Sequence, residues 1–62
     1  MDAPLPHEIK ESRLKAGLSQ ERAADLIYST KRTWQDWEAG KAKMHCGLWE
    51  LFKLKTGQEI LV

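Results

Sequence analysis

Apolar residues recur along this chain at helical rather than strand spacing, in blocks separated by glycine or by a hydroxyl residue. Period-two alternation is absent and the β-branched residues are scattered, so no strand is predicted. A first helix is predicted near 6–16. Pro6 suits the first helical position, Glu8 and Glu11 lie near the positive end, and Gly17 stops the helix. Ile9 and Arg13 fall on one side of it, with Leu14 close by. Ser19 is an N-cap for a second helix near 20–27, which holds Ala23, Ala24, Leu26 and Ile27. The third position of that helix is Arg22, so the reciprocal capping box is missing. Ser29 or Thr30 caps a third helix near 30–39, stopped by Gly40, and Lys41 to His45 reads as a loop. A fourth helix near 47–56 carries Leu48, Leu51 and Phe52 inward, with Trp49 and Leu54 on opposite edges, and Gly57 closes it. The tail 57–62 is too short to assign. The expectation is one all-α domain over 1–62, compact, with four to five helices.

The third helix has two unlike sides. At about 100° per residue, with Lys31 at zero, Gln35 falls near 40°, Arg32 near 100° and Asp36 near 140°. Trp34 then lies near 300° and Trp37 near 240°. The indoles form one flank, and a small domain needs their bulk in its core. The other flank carries groups that match nucleic-acid edges: Arg to guanine, Gln to adenine, Asp to a cytosine amino group, Lys to phosphate or guanine. Only a few residues separate the second and third helices, a spacing at which two helices meet steeply. The small pair Ala23-Ala24 lets the third helix approach closely. A helix-turn-helix follows, with its second helix free to enter a major groove.

Size and charge narrow the reading. A chain of 62 residues is one small domain with little core to spare. Its single cysteine, Cys46, cannot form an intrachain disulfide, which favours a reducing cytosol. Three Cys or His residues, two of them adjacent, fall short of a structural zinc set, so no metal and no cofactor are expected. No stretch is long or apolar enough to span a bilayer. The formal net charge is only +1, yet Lys31, Arg32, Lys41 and Lys43 fall within thirteen residues, a local patch rather than a global field.

The run LSQERAADLIYSTKRTWQDWEAGK resembles the helix-turn-helix of the lambdoid phage repressor and Cro group, also called the XRE family. The resemblance rests on Leu18-Ser19-Gln20-Glu21, Ala24, Leu26, Thr30, the large apolar residues at 34 and 37, Glu38 and Gly40. With the preceding IKESRLKAG it covers roughly residues 9 to 56. It implies a lambda-repressor-like fold and a cytoplasmic, nucleoid-associated regulator of the repressor type. Such a protein reads operator DNA in the major groove. Thr30, Lys31, Arg32 and Gln35 would meet bases, with Asp36 at the margin or holding Arg32 one turn away. Gln20, Thr33, Lys41, Lys43 and His45 would meet the sugar-phosphate backbone. Arg13 and Glu38 match the family's ion pair between the first and third helices. Two departures stand out: Tyr28 or Ser29 occupies the left-handed turn position usually held by glycine, and tryptophan replaces smaller residues at 34 and 37.

Double-stranded DNA is therefore the expected partner, with a homodimer at least on DNA. Trp49, Leu54 and Ile60-Leu61-Val62 either form a two-fold interface or fold back on their own core. The alternative function is a protein-interaction module, an antitoxin or adaptor, using the apolar edge of the fourth helix. No enzyme is expected, since no phosphate loop or nucleophile-base arrangement is present, and no small-molecule ligand is implied.

Overall fold

A computed structural model describes residues 3–58. These residues form four helices, α1 Pro6–Lys15, α2 Gln20–Leu26, α3 Lys31–Ala39 and α4 Cys46–Lys55, and no strand among the described residues. The all-α expectation holds for them, with every helix bound within one residue of the one predicted.

Local chemistry sets the boundaries. Pro6 opens α1, and the Glu8 carboxylate reaches back to accept from the Leu5 amide at 2.8 Å. Gly17, at φ 72°, turns the chain out of α1. The Ser19 hydroxyl accepts from the Arg22 amide at 3.1 Å and starts α2. Thr30 rather than Ser29 caps α3, accepting from the Thr33 amide at 3.2 Å. Gly40 takes φ 78° at the end of α3, and the Asp36 carbonyl then accepts from the Lys41 amide at 2.9 Å. The His45 ring caps α4, with Nδ1 accepting from the Gly47 amide at 2.9 Å.

The core consists of Ile9, Ala23, Ala24, Ile27, Trp34, Trp37, Met44 and Phe52. Trp34 is its centre. Its ring centroid lies 5.5 Å from that of Trp37, edge-on, and 5.0 Å from that of Phe52. Helix α3 packs mainly on α2 and then α1, and the two buried alanines of α2 leave room for the indoles. Leu48, Trp49 and Leu51 cover this cluster from α4. Two details depart from the expected pattern. Leu14 faces water, and Ser12, one-half turn away, is buried in its place. Met44 comes from the 41–45 loop and is fully buried, pinning that loop to the core.

Tyr28 takes the left-handed position between α2 and α3, at φ 60°. The turn is closed by the Ser29 amide, which donates to the Ala24 carbonyl at 2.9 Å. The ring does not enter the core, being 84% exposed. Its neighbour is Lys55, whose Nζ lies 4.3 Å from the ring centroid and donates to the Leu26 carbonyl at 2.8 Å and the Tyr28 hydroxyl at 3.2 Å. A left-handed non-glycine residue costs about 1–2 kcal/mol, and an exposed cation–π contact returns about 0.5–1 kcal/mol. Against the cation–π contact alone, the strain is the larger. Tyr28→Gly is expected to raise stability by up to about 1 kcal/mol in urea denaturation; a loss of stability would show that the Lys55 contact outweighs the backbone cost.

Candidate nucleic-acid interface

Burial of the two indoles decides which side of α3 meets solvent. Trp34 is fully enclosed and Trp37 nearly so. Lys31, Arg32 and Gln35, on the far side, are exposed. Asp36 is half-buried, and its Oδ1 lies 4.0 Å from Arg32 Nε, at the outer limit of an ion pair. The Arg32 side chain is 86% exposed, so this contact orients it only weakly. Thr30 is exposed but its hydroxyl is occupied, capping the helix and donating to Thr33 Oγ1 at 3.0 Å. Thr33 is half-buried beneath it.

The loop after α3 carries Lys41 and Lys43, both exposed, on either side of Ala42 and just before the anchoring Met44. Two cations are thus held on a short segment fixed at both ends, by the Gly40 turn and by Met44. His45 is also exposed, but its Nδ1 is committed to capping α4.

Behind the exposed face lies a carboxylate that collects four hydrogen bonds. Glu38 Oε2 accepts from Arg13 Nε at 2.6 Å and from Trp34 Nε1; Oε1 accepts from Arg13 Nη2 and from Gln20 Nε2, each at 3.3 Å. The expected Arg13–Glu38 pair is therefore present, its side chains only 12% and 8% exposed. Arg13 also donates to the Leu18 carbonyl at 3.0 Å, fixing the α1–α2 connection. Burial opposes the Glu38 charge. The hydrogen bonds from Arg13, Trp34 and Gln20, with the Arg13 charge, outweigh it and hold the carboxyl below its ordinary value.

Gln20, expected to meet the sugar-phosphate backbone, also makes side-chain contacts within the molecule. Its amide is engaged at both ends, donating to Glu38 and accepting from Gln35 Nε2 at 3.3 Å. The start of α2 is thereby joined to the exposed face of α3. The sequence held no signal for this link beyond the two glutamines themselves, fifteen residues apart.

The residues expected at a dimer contact divide. Trp49 is half-buried on its own core with Lys53 Nζ 5.0 Å above its ring, whereas Leu54 is 67% exposed. Ile60, Leu61 and Val62 lie outside the described residues. Among the described residues, no three His, Cys, Asp or Glu side chains converge as metal ligands, and no helix is long and apolar enough to cross a membrane.

No protein-family model matches the chain. It is similar to the Type II methyltransferase M.MspI of Moraxella sp, with 34% identity over 55 residues. That alignment takes in 89% of this chain and 13% of the methyltransferase, so what the two share is a unit of this size within a much longer protein.

Proposed function

We propose that this chain is a sequence-specific DNA-binding regulator of the repressor type. In this reading α2 and α3 form a helix-turn-helix of the lambdoid repressor and Cro kind, and α3 lies in the major groove. The observation that carries it is the division of α3: Trp34 and Trp37 buried on one side, Lys31, Arg32 and Gln35 exposed on the other. A rigid helix anchored by indoles and displaying Arg and Gln has the side-chain chemistry of base-edge readout. Lys41 and Lys43 add backbone attraction from a loop that Met44 holds in place. Thr30, Asp36 and Thr33 flank the reading face, and two copies of the chain would occupy paired half-sites. The likeness to a segment of a methyltransferase supports a compact unit that recurs beside other activities. The reading assigns the chain no catalysis of its own.

Selection from a random duplex library, followed by titration at two salt concentrations, tests this. Arg32→Ala is expected to cost about 1–3 kcal/mol and to relax preference at one base pair. Lys43→Ala is expected to weaken all duplexes alike and to reduce the salt slope by about one. A wild-type chain that enriches no sequence and shows no salt-dependent binding would end the proposal.

A further inference from the structure

A cleft of about 320 Å³ opens where the segment before α1 passes the end of α3. Pro4 and Pro6 line one side, Gly40 and Ala42 the other, and an edge of the Trp37 indole closes the bottom. Lys43 is the one charged side chain among the described residues that line it.

Both sides are fixed. The Leu5 amide donates to the Glu8 carboxylate at 2.8 Å, which ties the incoming segment to the first turn of α1. The Asp36 carbonyl accepts from the Lys41 and Ala42 amides at 2.9 and 3.3 Å, and the buried Met44 anchors the far end of that loop. The two sides meet at Gly40, where an added Cβ would lie 3.6 Å from Pro6 Cγ. The two proline rings restrict the backbone further. A ligand therefore meets a preformed site and orders little of the chain on binding.

Size and chemistry limit the occupant. The volume lies at the lower end of the range for small-ligand sites, so a single ring with a short substituent fits better than a nucleotide or a peptide. The proline rings, the Ala42 methyl and the indole edge offer that ring apolar contact. An ammonium at the rim favours an anionic substituent.

We infer that this cleft binds a small aryl carboxylate, its ring against Trp37 and its carboxylate on Lys43. Lys43 is also the loop cation assigned above to the DNA backbone, so a ligand carboxylate and a phosphate compete for one ammonium. Occupation then weakens DNA binding without touching the reading face of α3. That consequence rests on the DNA-reading proposal; ligand binding itself does not. No motif announces the site, because its parts come from segments distant in sequence.

Titration of the isotope-labelled full chain with benzoate, followed by NMR, tests this. The Gly40 and Ala42 amides and the Trp37 indole N–H are expected to shift together and saturate with a Kd of about 1 mM, as suits a ligand of this size. The Trp49 indole, which lines a different groove, is expected to stay in place. Benzyl alcohol, which keeps the ring without the charge, is expected to bind about twofold to fivefold more weakly than benzoate, the range of an exposed ion pair. Lys43→Met is expected to weaken benzoate binding by the same factor. At matched ionic strength, saturating benzoate is expected to weaken wild-type binding of the selected duplex by up to the factor that Lys43→Met costs, and to leave Lys43→Met unchanged. Absence of saturable shifts at the three groups, or equal shifts at Trp49, would overturn the site. Equal affinity for benzoate and benzyl alcohol would remove Lys43 from ligand recognition, and unchanged duplex affinity with the cleft full would refute the competition. If the wild type binds no duplex at all, the DNA-reading proposal fails, while the NMR titration still decides the cleft.

Discussion

Glu38→Ala is expected to remove about 3–5 kcal/mol of stability, the usual cost of deleting one partner of an enclosed ion pair. A domain of this length holds on the order of 3–9 kcal/mol in total, so the variant would be largely unfolded or close to it. The reason lies in what is left behind. The Arg13 guanidinium, 12% exposed, would lose its counter-charge, and the Trp34 N–H and the Gln20 amide would lose their acceptor. Urea denaturation followed by tryptophan fluorescence measures the change, and a loss below about 1 kcal/mol would show that water replaces the carboxylate easily.

The same group makes stability depend on pH, with a definite sign. The folded Glu38 carboxyl sits below its ordinary value, so the unfolded chain takes up its proton more readily. The stabilisation is complete above the ordinary carboxylate range and is lost as pH falls through the folded value. Acidification is therefore expected to destabilise the wild type more steeply than Glu38→Gln, which has no charge to lose. Parallel acid profiles for the two would contradict the role assigned to this carboxylate.

Trp34→Ala carries a comparable cost, about 3–5 kcal/mol for a large aromatic removed from a close-packed core. Trp34 touches Trp37 and Phe52 and is fully enclosed, so the space it leaves has few mobile groups to fill it. Trp34→Phe separates its two contributions. It keeps a six-membered aromatic ring in the core and deletes the N–H directed at Glu38 together with the rest of the pyrrole half. A smaller loss, on the order of 1–2 kcal/mol, is expected from the unmade hydrogen bond and the reduced volume. Equal losses for both variants would mean that the hydrogen bond, rather than packing, makes Trp34 indispensable.

Much of this architecture follows from short-range rules visible in the chain. Ser19 and Thr30 cap their helices because a hydroxyl at that place meets an otherwise unpaired amide. Gly17 and Gly40 end theirs in the left-handed region. The indoles at 34 and 37 turn inward because one helical face must carry the apolar bulk. The Arg13–Glu38 pair was legible through family resemblance alone, since spacing cannot bring together residues twenty-five apart. What escaped the sequence shares a different character. Met44 lies in a loop with no periodicity to mark it as core. Lys55 reads as a solvated charge near a helix end, and only the fold shows its stem carrying Nζ to the α2 carbonyl. The direction of the Gln20 amide depends on a carboxylate eighteen residues away. In each case a long, flexible side chain is placed by neighbours distant in sequence.

Gln58 bears on how this unit can be joined to other chains. Its Oε1 accepts from the Ser12 hydroxyl at 2.6 Å, and its Nε2 donates to the Ser12 carbonyl at 3.0 Å. Ser12 is only 6% exposed, so a fragment cut after Thr56 would strand that hydroxyl at a cost of about 1–3 kcal/mol. A graft or fusion that keeps the four helices intact but joins its linker before position 58 would thus carry an internal defect. The clasp, rather than the last helical turn, marks the least that a transplantable version of this domain has to include.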